Sequence, residues 1–126
     1  EKNESGEAAG AEYASRKRCN DSALALLSAV LLHARSPVSI LESCARRVTG
    51  SIIITEMHCP ELGEGPVCSL VPTAGNRAWD TWWRFTPRFF TQFLEVLGFG
   101  EHRVTSHRQR AFDHEHEMFT IISSRV

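Results

Sequence analysis

The hydrophobic pattern of the chain centres on residues 22–56, where two apolar runs flank an amphipathic segment. The first run covers residues 22–28 and the second covers residues 51–55. Continuous apolar runs are typical of parallel strands buried on both faces, whereas half-exposed antiparallel strands alternate. The pattern therefore predicts a strand, a crossover helix and a parallel strand, in a sheet with helices on both faces.

The segment between the two runs carries the signals of a helix. Ser36 is a good N-cap and Pro37 suits the first helical position, since its missing N–H is not needed there. Apolar residues at helical spacing form the predicted buried stripe: Val38, Leu41, Cys44, Ala45 and Val48. Gly50 is predicted to end the helix in the left-handed conformation that glycine adopts without strain.

The chain beyond the second run begins with a long segment, residues 57–85, that shows little secondary structure. A short strand is predicted around residues 68–71. Loops of this length are uncommon inside a compact domain unless they have a function. The segment holds all three tryptophans: Trp79, Trp82 and Trp83. Thr86-Pro87 then repeats the helix-start signal, and the helix is predicted to end at Gly98 with Phe99 folded back onto it.

Two further strands are predicted near the end of the chain, over residues 102–109 and 117–124. About seven polar residues link them, and a link this short favours an antiparallel pair. Residues 1–20 lack an apolar stripe and are predicted to be a polar tail, disordered or weakly helical. Residues 21–126 are predicted to form the folded domain.

Composition narrows the class of partner and compartment. Fourteen basic and fifteen acidic residues give a net charge of −1, so there is no overall electrostatic case for nucleic acid or an anionic membrane. Four cysteines without a CxxC pair favour free thiols in a reducing compartment. The longest apolar run, residues 23–32, is too short to cross a bilayer. The chain is therefore predicted to be soluble and cytoplasmic.

The order of these elements and two local motifs resemble the C-terminal half of a class I S-adenosylmethionine-dependent methyltransferase. The motifs are LLH followed by RSP at residues 31–37, and WDTWWRFTPRFFTQFLEVLGF at residues 79–99. The resemblance covers roughly residues 21–124 and looks closest to the enzymes that modify the wobble uridine of transfer RNA. It implies an α/β fold with a partial Rossmann-like methyltransferase sheet, in the strand order 4-5-7-6 with the last strand antiparallel, and flanking helices.

The resemblance also has a gap. In the family, the first strand ends in a Gly-rich turn and the second in an acidic residue that binds the ribose of the cofactor. Neither has a counterpart upstream of Asp21, where only about twenty polar residues stand. The resemblance thus implies a truncated or degenerate member, whose first strand has an open edge. An open apolar edge predicts self-association.

The function that the resemblance implies is transfer of a methyl or related one-carbon group from S-adenosylmethionine to an unknown acceptor, a transfer RNA or a small molecule. It implies that Ser28, Ala29 and Val30 border the methionine portion of the cofactor, and that His33 in the same cofactor crevice faces the substrate side. The candidate substrate-binding residues are Glu56, His58, Trp79, Trp82, Trp83 and Arg84. No catalytic residue is identified.

Plainer interpretations of these residues stay open. His33 could cap the following helix, Glu56 could be a structural carboxylate, and the tryptophans could anchor the loop rather than stack on a ligand. Metal sites built from His58, Cys59 and Cys68, or from His114 and His116, lack a zinc spacing, so no metal is predicted. The alternative functions are a degenerate, non-catalytic interaction or regulatory module, and a nucleotide-binding α/β protein of another type.

Overall fold

The computed structural model describes residues 21–126, so the tail predicted for residues 1–20 lies outside the described residues. Within this range there are two helices, α1 (Pro37–Arg47) and α2 (Pro87–Val96). The strands are β1 (Ser22–Ser28), β2 (Val48–Met57), β3 (Cys68–Leu70), β4 (Trp83–Phe85), β5 (Glu101–Ala111) and β6 (His114–Ser124). Short 3-10 turns occupy Leu31–His33 and Pro60–Leu62.

The main sheet has four strands in the order β1-β2-β6-β5. β1 is parallel to β2, and β6 is antiparallel to both of its neighbours. The predicted strand, crossover helix and parallel strand are confirmed, and the described part of the chain is a mixed α/β fold. β3 and β4 form a separate antiparallel ribbon. No helix within residues 21–126 combines the length and apolar character needed to cross a membrane.

The hydrophobic core lies on one face of the main sheet, between its strands and both helices. Its buried members include Leu41, Ala45, Ile52, Ile54, Phe90, Leu94, Phe119 and Ile121. The prediction of helices on both faces is wrong for the described residues: Leu24 is 54% exposed and Leu26 is 64% exposed. Both crossovers advance across the sheet in the same direction, and right-handed crossovers of that kind place their helices on the same face.

The end of α1 differs from the prediction. The helix stops at Arg47 and β2 begins at once, so Val48 is buried as a strand residue and Gly50 lies within the strand. A Cβ atom at Gly50 would collide with the carbonyl oxygen of Ala23 on β1. Glycine is therefore required for close approach of two strands, not for a left-handed helix end. Sequence periodicity did not distinguish these two uses of glycine.

An arginine at the end of the chain takes the place of the predicted helix cap. The Arg125 guanidinium hydrogen-bonds the carbonyl oxygens of Ala45 and, at 2.8 Å, Val48. It also lies over the Phe99 ring, with its central carbon 4.3 Å from the ring centroid. A cation at a helix C-terminus is favoured by the helix dipole and satisfies free carbonyls. The final residues thus fasten α1 to the sheet.

The start of α1 is confirmed at Pro37, although the Ser36 hydroxyl contacts the Ser39 hydroxyl at 2.7 Å and makes no capping bond to the helix backbone.

Both ends of α2 are as predicted. The Thr86 hydroxyl accepts a hydrogen bond from the Phe89 N–H at 3.3 Å. Gly98 has a φ of 99°. The Phe99 N–H donates to the Leu94 carbonyl at 2.9 Å and its ring is fully buried.

The last two strands form a hairpin whose turn is tighter than predicted. A two-residue turn, Phe112-Asp113, joins β5 to β6, and both residues have positive φ, 51° and 63°. Such left-handed pairs match the twist of a two-residue hairpin. The predicted seven-residue link was too long because the tip of the hairpin is solvated on both faces, so its strands carry no apolar period.

Candidate functional site

The segment between β2 and α2 folds over the carboxyl ends of β1 and β2. The predicted short strand is confirmed as β3, whereas β4 was not predicted, because a three-residue strand has too few residues to show a period. The Trp82 N–H donates to the Leu32 carbonyl at 2.7 Å, and the Val71 N–H donates to the Trp82 carbonyl at 2.9 Å. These bonds fix the β3-β4 ribbon to the turn that follows β1.

The base of the same segment is held by Thr86, which is 2% exposed. Its hydroxyl donates to the Gly65 carbonyl at 2.6 Å and accepts from the Val67 N–H at 2.9 Å. The Thr86 N–H donates to the Val67 carbonyl at 3.0 Å. The residue that caps α2 therefore also sets the path of the loop.

A cavity of about 110 Å³, here called the Glu56 cavity, lies between this segment and the sheet. Its lining residues are Leu32, Glu56, Met57, Cys59, Thr81, Trp83, Arg84 and Phe85. It lies at the carboxyl end of β2, where ligands bind in open α/β sheets. The fold thus places the cavity at the expected edge.

Glu56 is the central polar group of this cavity. It follows Ile52 and Ile54 on the core face of β2, and it is only 2% exposed. Burial raises the pKa of its carboxyl from the ordinary 4.5 to about 7, although the backbone N–H groups of Leu31 and Leu32 oppose this by favouring the charged form. Its Oε1 atom has no hydrogen-bond partner within residues 21–126. A carboxyl that titrates near neutral pH can accept or release a proton there.

The other polar groups at the cavity are either engaged or uncharged. Burial and the nearby Glu61 carboxylate raise the pKa of the Cys59 thiol, which stays protonated and lies 3.9 Å from the Met57 carbonyl. Arg84 pairs with Glu61 through Nη1 and Oε1 at 3.3 Å, and both side chains are about half exposed. Glu56 is therefore the buried hydrogen-bond acceptor of the cavity.

Three of the six predicted substrate-binding residues meet at this cavity: Glu56, Trp83 and Arg84. Trp83 also donates from its indole N–H to the Arg35 carbonyl at 3.2 Å. Trp82 lies outside the cavity lining, with the Arg35 guanidinium 5.1 Å from its ring centroid. Trp82 and Trp83 thus also hold the loop against the turn after β1.

The remaining two predicted substrate-binding residues, His58 and Trp79, lie elsewhere. The His58 ring meets the Phe119 ring edge-on at 6.5 Å between centroids, and its backbone N–H donates to the Glu117 carbonyl at 2.8 Å. Trp79 is 62% exposed. Neither residue lines the Glu56 cavity.

The predicted cofactor-side residues lie at the end of β1 and just after it. Ser28, Ala29 and Val30 are exposed, and Ala29 has a φ of 50° with its N–H donating to the Thr55 carbonyl at 2.9 Å. The His33 ring hydrogen-bonds the Asp80 backbone carbonyl through Nδ1. This bond links the 3-10 turn to the segment of residues 57–85, here called the tryptophan loop. The cofactor-side residues are open to solvent, and His33 is the chain neighbour of Leu32, which lines the Glu56 cavity.

Several residues of the site were missed by sequence reasoning, chiefly Thr81, Cys59 and Phe85. Thr81 and Phe85 lie within the motif at residues 79–99 that contains the tryptophans. That motif was therefore the sequence signal that could have identified them as cavity residues. Cys59 has no sequence signal of a cavity residue, since its pattern with His58 and Cys68 suggested only a metal site and lacks a zinc spacing. No three His, Cys, Asp or Glu side chains of residues 21–126 converge as a metal ion would require.

Comparison with known proteins supports the fold. No protein-family model and no curated protein matches the chain. The N-terminal domain of EvdMO1, in a crystal structure obtained in the presence of SAH and D-fucose, matches with a TM-score of 0.50 and 19% identity over 84% of this chain and 48% of that chain. The crystal structure of the same domain with SAH bound matches with a TM-score of 0.50 and 18% identity over 85% of this chain and 48% of that chain.

The chain thus spans about half the length of the solved structures that it matches. At such low identity the likeness shows the fold alone. The described residues therefore form a mixed α/β fold of four main strands and two helices, similar to the fold of that N-terminal domain.

Proposed function

We propose that this chain is part of an S-adenosylmethionine-dependent methyltransferase domain and contributes its acceptor side. The reaction is transfer of a methyl or related one-carbon group to a small-molecule acceptor. The observation that carries the proposal is the buried Glu56 carboxyl, with an oxygen that lacks a partner among the described residues, in a cavity at the carboxyl end of β2. The likeness to a domain that binds SAH supports it.

The residues at the end of β1 and just after it fit one wall of a cofactor site. Ser28, Ala29 and Val30 are exposed, and the turn is fixed by the hydrogen bond from Ala29 to Thr55. When bound, S-adenosylmethionine supplies the electrophilic methyl group. The role of this chain is to hold the acceptor in line and exclude water, which is most of what such a transfer requires of a protein.

The other wall of the cofactor site is assigned to structure that pairs with β1. If β1, β2, β6 and β5 take positions 4-5-7-6 of the family sheet, the strand with the Gly-rich turn lies beside β1. Two observations support this assignment: β1 has a strand partner on only one side within residues 21–126, and its Leu24 and Leu26 side chains are exposed. A strand paired with this edge, together with structure over the open face of β1, would cover both.

A small-molecule acceptor is favoured over transfer RNA. The charges of the β5–β6 hairpin face one another, with Arg108 in register with Glu117 and its Nη1 atom 3.8 Å from a Glu115 oxygen. Binding of RNA relies on cations that are free to neutralise phosphates, and the net charge is −1. The comparisons lend no support to the wobble-uridine branch.

Titration of the ¹⁵N-labelled full chain with SAH tests this function. Because one wall is present, we expect weak binding, with a Kd of about a millimolar, and shifts of the Ala29 and Val30 amide resonances. Calorimetry with S-adenosylmethionine provides a second measurement. If millimolar SAH leaves the resonances of residues 28–33 unmoved, cofactor binding by this chain is refuted.

The second candidate function is a non-catalytic interaction module. The exposed Leu24 and Leu26 side chains on the uncovered face of β1 favour it. Sedimentation velocity across a hundredfold concentration range distinguishes the outcomes. Association that weakens in Leu26→Lys would support the module, and a monomer at every concentration would contradict it.

A further inference from the structure

We infer that the Glu56 cavity binds the hydrogen-bond-donating end of the acceptor, an O–H or N–H group on a small, uncharged or cationic fragment. The inference rests on the proposed function only in treating the occupant as a methyl acceptor. The binding chemistry follows from this chain alone. It depends on the unpartnered oxygen of Glu56, on the groups that surround it and on the size of the space.

The unpartnered oxygen decides what kind of group can bind. Glu56 is 2% exposed, and its Oε1 atom has no hydrogen-bond partner within residues 21–126. A buried acceptor without a partner is costly, and a ligand that donates to it removes that cost. An ionised carboxylate only accepts hydrogen bonds. An anionic ligand group would therefore be repelled, and an ether or thioether would leave the oxygen unsatisfied.

The neighbouring charged group does not take the place of such a ligand. Arg84 directs its Nη1 atom to Glu61 at 3.3 Å, near the surface. The Cys59 thiol is 3.9 Å from the Met57 carbonyl. The walls contributed by Leu32, Trp83 and Phe85 are apolar. The cavity thus combines one buried acceptor with a largely apolar surface, the usual composition of a small-molecule site.

The volume limits the fragment to a few heavy atoms. The cavity measures about 110 Å³, and an apolar cavity of about 150 Å³ binds benzene. A five-membered ring or a short chain matches this space, whereas a nucleobase with its ribose does not. A larger acceptor would insert only its donating end, with its remainder outside near the Arg84–Glu61 pair.

The affinity of such a ligand should increase with pH. A donor prefers the ionised form of Glu56, whose pKa is raised to about 7 by burial. The other titratable or charged groups at the cavity are the Cys59 thiol, which stays protonated, and the Arg84 guanidinium. The ionised share of Glu56 increases about tenfold between pH 6 and pH 8, so the apparent affinity should increase by about the same factor.

The test compares two probes of equal size, pyrrole and furan, with the unmodified full chain. Pyrrole carries one N–H donor, whereas furan has no donor. Titrations followed by ¹⁵N NMR should move the Trp83 indole N–H and the Cys59 amide resonances. We expect pyrrole to bind at least about tenfold more tightly than furan at pH 8, as for a hydrogen bond to a charged group. Equal binding of the two probes overturns the inference, as do shifts confined to residues away from the cavity.

Variants supply a matched control. Glu56→Gln should abolish the tenfold pH effect on pyrrole binding, and Glu64→Gln, which removes an exposed carboxyl that does not line the cavity, should retain it. A pH effect that persists in Glu56→Gln contradicts the inference. The SAH titration is independent of these probes: if SAH fails to bind while pyrrole still discriminates, the proposed function fails and the donor site stands. The reverse result leaves the function and removes the site.

Discussion

Replacing Glu56 by glutamine should change how the stability of the fold depends on pH. Glutamine has nearly the same shape as glutamate and remains uncharged at every pH. In the native protein the Glu56 side chain is 2% exposed, and burial raises its pKa to about 7. The substitution therefore removes a titration while leaving the volume of the cavity almost unchanged.

The sign and magnitude follow from proton linkage. The folded state keeps the Glu56 proton up to about pH 7, whereas the unfolded chain releases it near the ordinary 4.5. The resulting stabilisation is fully present below about pH 4.5 and is lost as the pH rises through 7. At about 1.4 kcal/mol for each pH unit between these values, the loss is about 3 kcal/mol. The native protein loses this stabilisation and Glu56→Gln does not. The free energy of unfolding of the variant minus that of the native protein should therefore increase by about 3 kcal/mol from pH 4.5 to pH 8.

Urea unfolding of the full chain at half-unit pH steps between 4.5 and 8.5 measures this difference. The difference between variant and native protein matters, since all other groups titrate in both. Glu64→Gln removes an exposed carboxyl from the loop that follows β2, and the difference between this variant and the native protein should change by less than about 0.5 kcal/mol. If the difference in free energy of unfolding between Glu56→Gln and the native protein stays constant from pH 4.5 to pH 8.5, burial does not raise the pKa of this carboxyl and the reasoning is refuted.

Substitutions at four further positions test the contacts that hold the fold, each by urea unfolding at one pH. Thr86→Val should cost about 1–3 kcal/mol, since it removes the cap of α2 and the bonds to the loop, whereas Thr86→Ser should recover most of the loss. Arg125→Met should cost about 2 kcal/mol because the carbonyls at the end of α1 lose their hydrogen-bond donor. Arg125→Lys should not recover this stability, since lysine lacks the planar set of donors of the guanidinium group. Gly50→Ala should cost about 1–3 kcal/mol because the new methyl group meets the Ala23 carbonyl, and an unchanged stability would contradict the close strand approach. Phe112→Gly should stabilise the fold by about 1 kcal/mol, because Phe112 is 96% exposed and has a positive φ that glycine adopts without strain. Destabilisation would contradict this, since it would show that the ring makes stabilising contacts.

Local signals predicted the elements well where the pattern was periodic or carried a cap. β1 runs from Ser22 to Ser28 as expected, α1 begins at Pro37, and α2 begins at Pro87 after its Thr86 cap. The prediction failed where two structures share one signal. Gly50 could end a helix or admit a neighbouring strand, and only the position of β1 distinguishes these possibilities.

The candidate site was partly predictable. The sequence directed attention to Glu56 and to the tryptophan loop, and both contribute to the cavity. It could not show that Trp83 and Arg84 reach the cavity while Trp79 is 62% exposed. Which of these residues reach the cavity depends on the unpredicted β4 strand and on the hydrogen bond from the Trp82 backbone N–H to the Leu32 carbonyl. Such contacts join residues about fifty positions apart, and local patterns carry no information about them.

The sequence by itself determined the alternation of strands and helices, because apolar periodicity and caps act within a few residues along the chain. Only the tertiary structure decided that both helices cover the same face of the sheet. Only the tertiary structure placed Glu56 among apolar neighbours, where loss of water raises its pKa to about 7. Desolvation depends on everything that packs around a group, and the packing partners of Glu56 come from distant parts of the chain.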